Sequence, residues 1–96
     1  MSYNLILLPE AIADLQEHFK WYKDINVQLG KRFLAYFRIA KQRVKKNPYH
    51  FQVRYDDVRI IHFEKFPHQI HYTIENKTIF IHSIFHDKQN SPLNEF

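Results

Sequence analysis

Cysteine is absent from this 96-residue sequence, and it contains only one glycine and four prolines. Without thiols, neither disulfides nor thiolate-bound zinc can hold the core, and nothing implies an oxidising compartment, so the cytoplasm is the expected setting. The scarcity of Gly and Pro excludes a disordered or linker-like chain. The longest apolar run, Leu5 to Leu8, falls far short of the ~20 residues that cross a bilayer. No basic, apolar and small-residue succession marks a signal peptide, so the chain is expected to be neither membrane-bound nor exported.

Several reaction classes lack their residues as well. There is no Gly-rich phosphate loop, zinc-finger spacing or aromatic RNA-binding pattern. Ser2, Ser83 and Ser91 stand outside any nucleophile turn, and no acidic pair suggests glycoside hydrolysis. The chain has seven histidines, but Asp and Glu are scarce around those near the strands and no HExxH helix exists, so no metal and no cofactor are expected.

What is present is apolar and basic. With 45% hydrophobic and 17% aromatic residues, one aromatic-rich core is expected, and a chain of this length forms a single domain. The net charge of +4 favours an anionic partner.

Tyr3 to Leu8 is nearly all apolar and ends at Pro9, which reads as a strand buried on both faces with a parallel neighbour. Pro9 suits a first helical position and Glu10 and Asp14 the opening turns, predicting a helix from about Pro9 to Asp24. Its apolar stripe is Ile12, Leu15, Phe19 and Tyr22, with Asp14 elsewhere. Asn26 can cap a second helix, whose stripe is Leu29, Phe33, Tyr36, Phe37, Ala40 and Val44 before Asn47-Pro48 stops it. Gly30, inside that helix, reads either as a tolerated residue near a helix start or as a point of close helix contact.

From Val58 onward the period becomes two. Strands are expected around Val58–Phe63, Gln69–Ile74 and Thr78–His86, with Asn76-Lys77 as a tight turn. In the last strand, alternation places Ile79, Ile81 and Phe85 on one face and Phe80, His82, Ile84 and His86 on the other. The architecture is thus α+β, a helical hairpin on a mainly antiparallel sheet in the order β-α-α-β-β-β. Residues 88–96 read as a loosely ordered tail.

Lys31, Arg32, Arg38, Lys41, Arg43, Lys45 and Lys46 make up half of the 14 basic residues. Of these, Lys31, Arg38, Lys41 and Lys45 share an outer helical face suited to phosphates or an acidic partner. The bland alternative is a solvated face with terminal cations that complement the helix dipole. For proton transfer the candidate is His86, at the end of the last strand, with Lys88 and Arg59 placed to hold a phosphate.

Read together, several segments resemble the RelE/ParE superfamily of type II toxin–antitoxin toxins, specifically its ParE-like branch. They are Ala13-Asp14-Leu15, Trp21-Tyr22, Leu29-Gly30-Lys31-Arg32-Phe33-Leu34, Asn47-Pro48, Val58-Arg59, Phe66-Pro67, Ile70-His71-Tyr72 and Ile84-Phe85-His86. The resemblance covers nearly the whole chain and implies the toxin of a plasmid-stabilisation module, held silent by a cognate antitoxin whose C-terminal segment folds around it. The implied target is DNA gyrase, contacted through Arg59, Gln69, His86 and Lys88, with Lys31, Arg38, Lys41 and Lys45 as an antitoxin-facing or electrostatic surface. The alternative is a ribosome-dependent mRNA endoribonuclease using Arg59 and Lys88 on phosphate and His86 or His82 as base. Gln69 stands where RelE-like nucleases tend to have Arg, which favours gyrase.

Overall fold

Pro9 ends the first strand and begins the first helix, because it cannot donate to a ladder but fits a helical first turn. In the computed structural model, which describes residues 3–88, β1 (Asn4–Leu7) runs into α1 (Pro9–Ile25) on this signal. One residue, Asn26, joins α1 to α2 (Val27–Lys46). Its N–H donates to the Tyr22 carbonyl and closes α1, while its Oδ1 accepts the N–H groups of Gln28 and Leu29 and opens α2. Both ends are capped by a single side chain and its own backbone.

That link forces the helices together. A Cβ at Gly30 would lie 3.0 Å from Lys23 Cβ and 3.1 Å from Lys23 Cα, so close contact is the reading that holds.

Four more strands follow: β2 (Val53–Tyr55), β3 (Val58–His62), β4 (His68–Glu75) and β5 (Thr78–His86). The five-stranded sheet has the order β1-β5-β4-β3-β2, parallel between β1 and β5 and antiparallel elsewhere. Asn76 and Lys77 both take positive φ, as a tight hairpin turn between twisted strands requires. The expected order therefore gains one strand, β2, whose three residues are too short to show a period.

Both helices pack on one sheet face, called here the helix face. Phe33 lies at the centre, its ring 5.0 to 5.5 Å from those of Tyr22, Phe63, Phe66 and His68. The α2 stripe is as expected, with Phe33, Phe37, Ala40 and Val44 buried.

Three expectations are corrected. β1 has its parallel neighbour but is an edge strand, and Ile6 is 46% exposed instead of buried, because no helix covers its side of the sheet. On α1, Ile12 is exposed and Ala11 is buried; Asp14 and His18 turn inward beside Leu15, Phe19 and Tyr22. In β5 the register shifts between the pairs His71↔Ser83 and Tyr72↔Ile81, leaving His82 as an extra residue. This bulge reverses the alternation beyond it. Ile84 and His86 join Ile79 and Ile81 on the helix face, and Phe85 moves to the far face with Phe80.

Candidate functional site

On the far face, four side chains from β2, β4 and the end of β5 form one hydrogen-bonded row. His71 is fully buried between Tyr55 Oη, 2.7 Å from its Nδ1, and Gln69 Oε1, 2.6 Å from its Nε2. The amide oxygen of Gln69 can only accept, so His71 Nε2 carries the proton and Nδ1 accepts the Tyr55 hydroxyl. Gln69 Nε2 then donates to Asp87 Oδ1 at 3.1 Å, and His62 Nδ1 lies 3.8 Å from the same oxygen. Each donor in the row points toward Asp87. Burial pushes His71 down to about 4, with His62 and His82 adding to the effect, so the ring stays neutral as the row requires.

A second histidine group occupies the helix face at the same end of the sheet. His68 from β4 is 1% exposed, with the His18 ring 4.7 Å away and the His86 ring 5.0 Å away, both edge-on. Neither ring nitrogen of His68 has a hydrogen-bond partner. Burial first, then His18 and His86, push its pKa down to about 3. Among the described residues, no group of three or more His, Cys, Asp or Glu is arranged to hold a metal ion.

Helix α1 completes this end. β1 stops pairing at Leu8, whose N–H reaches the Ile81 carbonyl. Past that point the outer edge of β5 faces α1 instead of a strand. Asp14 Oδ2 accepts the Ile84 N–H at 3.0 Å, and His18 Nε2 lies 3.1 Å from the Ile84 carbonyl. Two side chains one helical turn apart thus satisfy the peptide groups that a sixth strand would otherwise pair.

The residues expected to contact a target fall into two places. Gln69 is buried within the far-face row. His86 sits beside His68, and its Nδ1 accepts the Lys88 N–H at 3.0 Å, which places the exposed Lys88 in the turn just after β5. His82, at the bulge, bonds Thr73 Oγ1 through Nε2 at 2.8 Å.

Arg59 lies apart. It pairs with Tyr72, four residues along β4 from the partner of His86, or roughly 13 Å at strand rise. Its guanidinium donates to the carbonyls of Tyr49 and Phe51 and stacks over the Tyr49 ring. A phosphate cradle of Arg59, His86 and Lys88 is therefore not assembled.

On α2, Lys31 and Arg38 are exposed, Lys45 is half-buried, and Lys41 places its Nζ 5.7 Å from the centre of the Phe37 ring. Tyr55, His71, Asp87, Asp14 and His18 were not foreseen as site residues. For Asp14 and His18 one signal existed: polar residues four apart, on the same side of α1 as Leu15 and Tyr22. The last part of the expected tail, residues 89–96, lies outside the described residues.

A helical hairpin thus lies across one face of a mixed sheet, with a polar row on the opposite face and β4 at the sheet's centre. A family model described as "ParE toxin of type II toxin-antitoxin system, parDE" matches residues 5–91, and the chain belongs to that family. Among solved structures it is similar to one titled "Chromosomal ParDE TA system from P. aeruginosa", with 18% identity and a TM-score of 0.76 over 88% of this chain and 95% of that one. At that identity the likeness is one of fold. No curated protein matches the sequence significantly.

Proposed function

We propose that this ParE-family toxin acts in the cytoplasm as a non-enzymatic inhibitor of DNA gyrase and is silenced by a cognate antitoxin. The observation that carries this reading is the engagement of Arg59. In-line cleavage of RNA needs a cation on the scissile phosphate and a base on the attacking hydroxyl. Arg59 is spent on two loop carbonyls of the helix face. The far-face residues of β3, β4 and β5, among them Ile60, His62, Gln69, His71, Thr73, Phe80, His82, Ser83 and Phe85, include no Lys or Arg among the described residues. His71 and His82 each already hold a hydrogen bond with a neighbouring side chain.

What remains at the sheet end is a binding surface of exposed His62, Asp87 and Lys88 with half-buried His86, held over the buried Gln69. The antitoxin partner is supported by the family and by the ParDE title of the similar structure. An acidic antitoxin segment that folds on binding suits the basic face of Lys31, Arg38, Lys41 and Lys45.

The test is a gyrase supercoiling assay. Inhibition at micromolar toxin, relieved by the antitoxin, is the expected result. Intact supercoiling together with site-specific cuts in ribosome-bound message, lost in His86→Ala, would replace this reading with the endoribonuclease.

A further inference from the structure

The last turn of α2 carries Arg43, Lys45 and Lys46. A helix C-terminus presents roughly half a negative charge, so three cations there exceed what the dipole can offset. At 100° per residue, Arg43 lies roughly 140° round the helix from Arg38. It therefore belongs to a different flank from the face shared by Lys31, Arg38, Lys41 and Lys45.

That flank borders two adjoining hollows. One of about 410 Å³ is lined by Arg43, Lys46, Asn47, His50 and Phe51. The other, about 450 Å³, shares Arg43, His50 and Phe51 and continues past Arg54 to the edge of β3 at Ile60–Glu64. Together they make one groove between the end of α2 and the β3 edge. Its fixed cations are Arg43, Lys46 and Arg54, against one carboxylate, Glu64.

The wall of the groove is held from behind. Tyr72 Oη donates to the Pro48 carbonyl at 2.7 Å, and Arg59 donates to the carbonyls of Tyr49 and Phe51. The Phe51 ring lies under the Arg43 guanidinium at 5.5 Å and edge-on to His50 at 5.1 Å. The sheet thus fixes a loop that sets the rings of His50 and Phe51 beside Arg43 of α2 and Arg54 of β2.

We propose that this groove binds the phosphodiester backbone of single-stranded nucleic acid. Two arginines match phosphate oxygens in pairs, as a lysine cannot. Rings set between cations are the pattern on which successive bases stack without sequence preference. An acidic peptide would use the cations but leave His50 and Phe51 without a planar partner, which is why nucleic acid is favoured over it. The groove shares only His62 with the sheet-end surface assigned to the target, and its cations lie outside that surface; its binding is tested with the toxin alone, so it stands or falls independently of gyrase.

Fluorescence anisotropy of a labelled oligothymidylate, titrated with the toxin, measures the binding. With three phosphate contacts on a single strand, affinity should fall about 20-fold between about 50 mM and about 200 mM salt. Arg43→Gln combined with Arg54→Gln should weaken binding at low salt at least tenfold and flatten the salt dependence to that of about one contact. Both side chains are exposed, so thermal melting should show these variants folded; Lys46→Gln alone provides a milder second variant. Lys31→Gln with Arg38→Gln should change affinity less than twofold. Three outcomes would overturn the assignment: no binding at low salt, equal losses from both pairs of substitutions, or displacement of the oligonucleotide by a poly-glutamate peptide at lower concentration than by unlabelled oligothymidylate.

Discussion

The Asp14 carboxylate accepts the Ile84 N–H at 3.0 Å, a bond that spans 70 positions of sequence and ties α1 to the end of β5. His18, one turn further on, meets the carbonyl of the same residue. The sheet is thereby closed at this edge by side chains in place of a strand. Asp14→Ala leaves a buried N–H without its partner, and chemical denaturation should show a loss of about 1–3 kcal/mol. Asp14→Asn keeps an acceptor and should lose less than half as much. Equal losses for both would mean the bond contributes nothing of its own.

His68 sets an acid limit on stability. Its pKa is about 3 in the fold against an ordinary 6.5, and that of His71 about 4. Both folded values are depressed, so the fold favours the neutral rings. Their contribution is fully present above pH 6.5 and is lost as pH falls from there toward 4 and then 3. Each ring should cost about 1.4 kcal/mol per pH unit within that window. Denaturation midpoints between about pH 7.5 and about pH 5 should fall steeply, and a flat profile would contradict the buried, neutral assignment.

His68→Phe isolates the orphaned nitrogens. Replacing two unpartnered buried polar atoms by carbon in a ring already surrounded by aromatics should leave stability at neutral pH unchanged or raise it by about 1–2 kcal/mol. It should also shallow the acid limb. A loss of more than about 1 kcal/mol would mean that the nitrogens have partners in solution.

Gly30→Ala would normally stabilise a helix interior by about 1 kcal/mol. Here the new methyl meets the backbone of α1 at Lys23, which a side-chain rotation cannot relieve. Thermal melting should show no gain and a net destabilisation. An increase of the full helical amount would show that the hairpin has slack.

Arg59 and Lys88 should separate by readout. Arg59→Ala removes a charged donor from two loop carbonyls and should cost about 1–3 kcal/mol of stability. Lys88→Ala, at an exposed turn, should leave stability within about 0.5 kcal/mol while weakening gyrase inhibition. The reverse assignment of effects would move the target surface to the loop after α2.

The helical hairpin was legible because its punctuation is local. Pro9, Asn26 and Asn47-Pro48 act within a turn of where they stand, and the α2 stripe repeats over several turns. The parallel partner of β1 was legible from an apolar run, but its exposed face was not, since covering a sheet depends on where helices end in space. The His82 bulge left no mark in a sequence that alternates smoothly through it. For Asp14, polarity pointed outward while the need of the Ile84 peptide, far along the chain, turned it inward. Arg59 was placed on the correct strand, yet its partners are backbone carbonyls, which no side-chain pattern announces.

Because β1 pairs only with β5, the first of the described strands is completed by the last of them. Leu5 and Leu7 have no ladder partner until Ile79 and Ile81 have been translated, and at some 5–20 residues per second the ribosome takes several seconds to deliver them. The sheet thus stays open on this side until β5 has been made. A ribosome that stalls before Ile79 therefore releases a helical hairpin whose first strand has nothing to pair with.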